Sequence, residues 1–386
     1  MGIYLDNSAT TKVRDDVAEA VLRFLREEFA NPSSKHAVGK KVRKDLEESR
    51  KKIANFLGAK SSEIIFTSGG TESNNLAIRG LARKHPSKKH IITSAIEHPS
   101  VLETCRDLEK DGYLVDYIKP DSEGIIDPKK IREKIRDNTL LVSVMHVNNE
   151  IGTIQPVEEI AKICREFKIF FHCDMVQSFN KIKINLSDLK VDLASFSGHK
   201  ICAPKGIGAL YVRSGTGICP IITGGGQESG IRSGTENVPG IIGLAKAIEK
   251  APKKEAIEKA QKKLFNEILK IPRTKINGSI KKRIFNNVNV SFYGIEAEAL
   301  LERLSNDGIY VSTGSACSST KLSESHVLKA IGLDEMYIHG SIRISIGEEL
   351  SEKDIKFVID RIKHHVGDLR KISPFKINLE EENEDH

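Results

Sequence analysis

Four short stretches of this chain carry residue types that could do chemistry. "SFSGHKICAPKG" sets Lys200 after an apolar run and a Ser-Gly-His turn, and a lysine whose proton is loosened by its surroundings can join a carbonyl carbon as a Schiff base. "FFHCD" ends on Asp174, a carboxylate among apolar neighbours that calls for a cationic partner such as a protonated ring nitrogen. "TSGGTESNN" puts Gly69, Gly70 and Thr71 at the start of a helical pattern, where free backbone N–H groups and the positive dipole end suit a phosphate. A phosphate site, an acid for a ring nitrogen and a lysine together describe pyridoxal phosphate. The fourth stretch, "STGSACSS", sets Cys317 among residues too small to pack. Each has a plainer reading: Thr71 and Asp174 as helix caps, Lys200 as a surface cation, Cys317 as part of a tight buried turn. A metal bound by His172, Cys173 and Asp174, or by His199 and Cys202, is disfavoured because neighbours along a strand point to opposite faces.

These residues need a scaffold that brings distant segments together. Short apolar runs, "EIIFTSGG", "HIITSAI", "YLVDYIK", "LLVSVMHV", "IFFHCDMV", "DLASFSG" and "GALYVR", alternate with helical patterns over most of the region from Asp15 to about residue 255. That order predicts an α/β fold with a mainly parallel seven-stranded sheet covered on both faces. The last two runs follow each other without a helix, which predicts an antiparallel strand at one edge. Ligands of open parallel sheets bind beyond the carboxyl ends of the strands, and the polar motifs "TSGGTESNN", "EHPS", "HVNNEIG", "HCDMVQ" and "SGHK" fall at those ends. The expected organisation is a large domain over 15–255 and a smaller α/β domain formed by 1–14 and 256–386, the latter carrying the cysteine loop at about 312–325.

The chain's 386 residues suffice for two domains, and 29% charged residues fit a globular enzyme. A net charge of +7, from 60 basic and 53 acidic side chains, is spread over helical segments of alternating sign and does not require a nucleic-acid partner. No apolar run reaches the ~20 residues that span a bilayer, and no signal peptide opens the chain. A cytoplasmic location is expected. The six cysteines, at 105, 164, 173, 202, 219 and 317, form no CxxC pair, which argues against a disulfide framework or zinc ribbon.

"YLDNSATT", "NPSSKH", "FTSGGTESNNLAI", "HIITSAIEHPSV", "VSVMHVNNEIGTIQP", "SGHKICAPKGIGALYVR", "GGGQESGIRSGTENVPG", "VSTGSACSS" and "SIRISIG" follow one another from Tyr4 to near the C-terminus. In this order they resemble the motif series of the NifS/IscS-type cysteine desulfurases, fold-type I pyridoxal phosphate enzymes of the class V aminotransferase family. The resemblance implies that Lys200 forms the Schiff base, Asp174 partners the pyridine nitrogen and Gln177 donates to the phenolic oxygen. His98 would stack on the ring and relay protons, and Gly70, Thr71, Ser197 and His199 would hold the phosphate. Thr235 would reach the phosphate of a neighbouring subunit, implying a homodimer. Arg343, with Asn149, would bind the substrate carboxylate.

In such an enzyme L-cysteine becomes L-alanine, and Cys317, on a mobile tether of Gly and Ser, takes the sulfur as a persulfide. The resemblance of "STGSACSS" to the long-loop group implies direct delivery to an iron-sulfur scaffold, where Cys317 would meet a cluster held by the partner, or else to a tRNA-thiolation acceptor. No metal is expected within the chain. The departures Cys173, Met175, Cys202 and Ala203 flank the key residues, and Cys173 and Cys202 are expected near the pocket. The rival readings are a cysteine lyase or an aminotransferase on the same fold, or a sulfur carrier without turnover.

Overall fold

The computed structural model describes residues 2–313, 324–348 and 350–374. Cys317 and most of the expected 312–325 loop therefore lie outside the described residues. The chain opens on β1 (Ile3–Tyr4) and then builds a seven-stranded sheet from β2 (Ile64–Thr67), β3 (His90–Ser94), β4 (Leu114–Ile118), β5 (Thr139–Ser143), β6 (Phe170–Asp174), β7 (Leu193–Ser197) and β8 (Gly208–Val212). Its order is β2-β8-β7-β6-β5-β3-β4. The β4, β3, β5, β6 and β7 pairings are parallel, while β8 runs against both β2 and β7. The antiparallel strand is thus one place in from the edge, with β2 outside it. Because β2 and β7 both oppose β8, the carboxyl ends at Thr67, Ser94, Ser143, Asp174 and Ser197 share one edge of the sheet.

Alternation along the buried strands feeds two cores. On β7 and β8, Ala194, Phe196, Ala209 and Tyr211 face the helix Ala37–Leu57, whose Val42, Leu46, Ile53 and Leu57 lie on one stripe. Leu193 and Leu210 face the other way, toward Leu76, Ala77 and Leu81 of the helix Gly70–Lys84. Gly58, at φ 66°, ends the Ala37–Leu57 helix in the left-handed conformation that glycine adopts without a Cβ clash.

A second sheet, in the order β12-β13-β10-β9, joins β9 (Thr274–Ile276), β10 (Asn287–Phe292), β12 (Ser312–Thr313) and β13 (Ser341–Ser345); β11 (Ile309–Tyr310) instead pairs in parallel with β1. Val288, Val290, Ile342 and Ile344 pack against Leu264, Leu300, Val358 and Ile362 from three helices, Lys254–Ile268, Ala297–Asn306 and Glu352–Ile372. Leu5 joins this core, and Asp6 bridges to Ser345, so the N-terminal segment is fastened here before it crosses to the large sheet. Among the described residues no helix is long and apolar enough to cross a membrane.

Close approach at one strand end is what admits the phosphate-type turn. A Cβ on Gly208 would lie 2.5 Å from the Phe196 carbonyl oxygen and 2.6 Å from Gly69 Cα, both backbone atoms with little room to yield. Gly208→Ala is therefore expected to lower stability by about 1–3 kcal/mol, the usual cost of overpacking, read as a lower denaturant midpoint at unchanged m-value.

Candidate active site

The helix Gly70–Lys84 begins at the end of β2, and Gly69 makes the turn at φ 156°, ψ −175°, a region that residues with a Cβ avoid. A Cβ on Gly70 would lie 2.8 Å from Val176 Cγ2 and 3.7 Å from Ser197 Cβ, so the first helical turn, the end of β7 and the turn after β6 meet closely. One turn further, Asn74 Nδ2 donates to Asp174 Oδ2 at 2.8 Å and to Ser100 Oγ at 2.8 Å. The Val176 N–H donates to Asp174 Oδ1 at 3.0 Å. Asp174 is 6% exposed, and both of these donors are neutral.

Ser100 links this carboxylate to His98. The His98 ring caps the helix Pro99–Lys110: its Nδ1 accepts from the Ser100 N–H at 3.1 Å and lies 2.8 Å from Ser100 Oγ. An Nδ1 that accepts a backbone N–H leaves the ring proton on Nε2. Burial pushes the His98 pKa down and Lys200 adds to this, while Asp174 opposes it.

Lys200 sits in the turn after β7, where Nζ donates to the carbonyls of Ser8 at 2.6 Å and Ala9 at 2.7 Å. Gln177 Nε2 reaches the same Ser8 carbonyl at 3.0 Å. His199 Nδ1 lies 3.2 Å from Thr10 Oγ1, and burial, with Lys200 beside it, pushes this imidazole down to about 4. Residues Ser8 to Thr11 of "YLDNSATT" thus form one wall of the site.

Arg343, on β13, is buried, with Nη2 donating to Asp6 Oδ1 at 2.7 Å and Nη1 to the main-chain oxygen of Asn149 at 3.0 Å. The Asn149 contact is through its backbone rather than its side chain, and Nε is without a partner among the described residues. Thr71 is exposed at the first turn of its helix. Thr235 is exposed on the segment before the helix Val238–Ala247, outside the group that gathers around Asp174 and Lys200.

The donor set fits pyridoxal phosphate. The helix start at Gly70 offers first-turn N–H groups of the kind that suit a phosphate, the buried Asp174 carboxylate has only neutral donors among the described residues, and the Lys200 amine is held by the Ser8 and Ala9 carbonyls. Asn74 Oδ1, Glu97 Oε2 and His146 Nδ1 are buried near these strand ends without partners among the described residues. The His172 ring is engaged at both nitrogens, by Ser143 Oγ at 2.8 Å and Ser195 Oγ at 3.0 Å. Cys173, expected near the pocket, instead packs in the sheet core with Met175 and Ala203, where burial pushes its thiol well up. Cys202 is half-buried at φ 64°, its N–H donating to Thr11 Oγ1 at 2.7 Å.

Residues 3–358 match the family described as aminotransferase class-V. The chain belongs to that family. This class-V member is 48% identical to the cysteine desulfurase IscS of Dictyoglomus turgidum over 97% of either chain. It is 48% identical to the cysteine desulfurase IscS of Methanosarcina thermophila over 96% of this chain and 94% of the relative. Among solved structures it is similar to a NifS-like protein, with a TM-score of 0.90 at 39% identity, covering 96% of this chain and 100% of that one. It also resembles SspA in complex with cysteine, with a TM-score of 0.82 at 41% identity, covering 90% and 100%.

Asn74 and Glu97 escaped the reading of the class-V sequence, although both stand inside quoted motifs. Asn74 was legible as one helical turn beyond Gly70. Glu97 carried no such signal. It is fully buried, with Oε1 accepting from Ser94 Oγ at 2.5 Å and the Met145 N–H at 2.9 Å, and its main-chain oxygen lies 3.0 Å from His326 Nε2. Burial, with the Asp174 charge adding, pushes its pKa up to about 8, so it keeps its proton at neutral pH. A carboxyl raised from 4.5 to about 8 contributes stability that is complete below 4.5 and is lost progressively as pH rises to 8. Glu97→Gln should abolish that slope. Between these pH values the native chain is expected to lose about 1.4 kcal/mol per pH unit relative to the variant, measured by urea unfolding at several pH values.

Proposed function

We propose that this chain is a cysteine desulfurase that uses pyridoxal phosphate and converts L-cysteine to L-alanine. The observation that carries the reading is the convergence of Lys200, Asp174 and the Gly70 helix start at one sheet edge, in a chain nearly half identical over its length to cysteine desulfurases. The two cores on the faces of the large sheet and the separate core on the second sheet support a large domain over 15–255 and a smaller one from 1–14 and 256–386.

When bound, pyridoxal phosphate supplies an electron sink that stabilises the charge left when bonds to the substrate's Cα and Cβ break. The helix start at Gly70 and Thr71, with Ser197 and His199, holds the phosphate. Asp174 holds a proton on the ring nitrogen, and Asn74 and the Val176 N–H keep its carboxylate aimed there. Gln177 Nε2 donates to the phenolic oxygen. Lys200 would hold the cofactor through its carbonyl carbon, and its amine, when free, would move the substrate's α-proton. His98 covers the ring and serves as a proton relay through Nε2.

Arg343, whose Nε has no partner among the described residues, is the donor for the cysteine carboxylate, while Asp6 and the Asn149 carbonyl hold the guanidinium in place. Ser312 is the pairing partner of Arg343, so the strand that leads toward Cys317 starts beside this arginine. The Cys317 thiolate would take the substrate sulfur, an S–S bond forming as the substrate's C–S bond breaks with its electron pair left on the carbon side, and the electron sink is what pyridoxal phosphate would supply there. Protonation of the remaining carbon skeleton and release give alanine, and a thiol or acceptor protein takes the outer sulfur of the persulfide. Exposed Thr235 suits completion of the phosphate site in a second copy of the chain, as a homodimer. An iron-sulfur scaffold is the leading acceptor and a tRNA-thiolation protein the next, with the transfer from Cys317 taking place in the cytoplasm.

Incubation with L-cysteine and a thiol reductant is expected to yield alanine and sulfide in equal amounts, and Cys317→Ser to reduce both to background while leaving the cofactor's visible band intact. Pyruvate with ammonia would mean a lyase, and alanine formation that persists in Cys317→Ser would remove Cys317 from the reaction.

A further inference from the structure

Lys181 is the second amine of this site. The turn after β6 is built on Met175, whose carbonyl accepts from the Ser178 and Phe179 N–H groups. Phe179 anchors it, fully buried against Phe196 and Phe56. Lys181 follows at the end of the turn, half-buried, with Nζ donating to Gln177 Oε1 at 3.3 Å and to the Gln177 carbonyl at 3.2 Å. Gln177 Nε2 in turn donates to the Ser8 carbonyl that Lys200 also uses.

These contacts determine which way the Gln177 amide points. A backbone carbonyl only accepts, so the amide end near Ser8 must be the NH2 group. A protonated lysine only donates, so the end near Lys181 must be the oxygen. Two one-way partners select the same orientation. Without Lys181 the oxygen end loses the donor it has among the described residues, and the Ser8 carbonyl alone is left to hold the amide in this orientation.

We propose that Lys181 is a positioning residue for this reaction: it holds the Gln177 amide with its N–H toward the pocket and sets a second amine within electrostatic reach of Lys200. The inference rests on the pyridoxal phosphate reading above. Like charges each make the other harder to protonate, and two coupled amines titrate over a broader pH range than one. Burial, together with the Lys200 charge, pushes Lys181 down to about 7, with Cys202 opposing. The other ionisable groups are His199, which feels both lysines, and His98, which feels Lys200 and Asp174. Both consequences of Lys181 act in one direction. Its charge disfavours a proton on the Lys200 nitrogen, and the N–H it holds in place stabilises the phenolate that remains when that proton leaves.

The test is a pH titration of the visible cofactor band in the loaded enzyme, comparing the native chain with Lys181→Met, Lys181→Gln and Lys181→Arg. In Lys181→Met the midpoint is expected to rise by roughly one pH unit and the curve to narrow to a single-proton shape. Lys181→Gln, which keeps a polar donor should the Met variant fail to fold, is expected to shift the same way. Lys181→Arg, charged throughout, should titrate at or below the native midpoint. A second readout uses cofactor-stripped enzyme: attachment of pyridoxal phosphate needs the neutral Lys200 amine, so at pH 7 it should slow up to about tenfold in Lys181→Met. Midpoint and attachment rate unchanged in Lys181→Met and Lys181→Gln would overturn the inference. Absence of any visible pyridoxal band in the native enzyme would instead overturn the functional reading beneath it.

Discussion

A carboxylate buried at the end of a parallel strand is the constraint around which this site is organised. Leaving one ion of a buried pair unmatched costs about 3–5 kcal/mol, and Asp174 has a neutral amide and a backbone N–H as its donors. Placing those donors fixes much else. Asn74 has to project from the first turns of the helix that starts at Gly70, which brings that helix N-terminus to the same edge. Asn74 also holds Ser100, and Ser100 holds the His98 ring. A cation opposite Asp174 would complete this arrangement, and a protonated ring nitrogen is such a cation.

The N-terminal segment joins this arrangement to the second sheet. Within six residues it pairs Asp6 with Arg343, receives the Lys200 and Gln177 donors at Ser8, and engages His199 and Cys202 through Thr10 and Thr11. The strand ends of the large sheet and the arginine of the smaller one are thereby set relative to each other by a short peptide that turns on the Asp6 carbonyl, which accepts from the Ala9 and Thr10 N–H groups. A displacement of this peptide would move together Lys200, the proposed Schiff-base lysine, and Arg343, the proposed carboxylate-binding arginine. Glu97 adds a further tie, because it bonds the end of β3 to Met145 after β5 in a protonated form that introduces no second anion beside Asp174.

Much of this was legible in the sequence because it follows from local pattern. Apolar runs broken by helical periodicity lead to the seven strands, and their polar carboxyl ends lead to Asp174, Lys200 and the Gly69-Gly70 turn. The position of β8 was not legible: two consecutive strands imply an antiparallel pair, but nothing local says that β2 adds outside it. Asp6 as the partner of Arg343 was hidden for the same reason, since 337 positions separate the two. Lys181 reads as one more cation in "NKIKIN", and its contact with Gln177 appears only once the turn is closed around Phe179. Glu97 looks in sequence like any acid before a helix, and burial alone gives it its unusual proton. The assignment of Cys317 stands on sequence, from its setting in "STGSACSS".

The central claim is that Lys200, rather than the neighbouring Lys181, is the amine that holds the cofactor. Borohydride reduction of the loaded enzyme followed by peptide mapping tests it directly. The account predicts a pyridoxyl label on the peptide that carries Lys200, with Lys181 unmodified; a label on Lys181 or on any other lysine would contradict it.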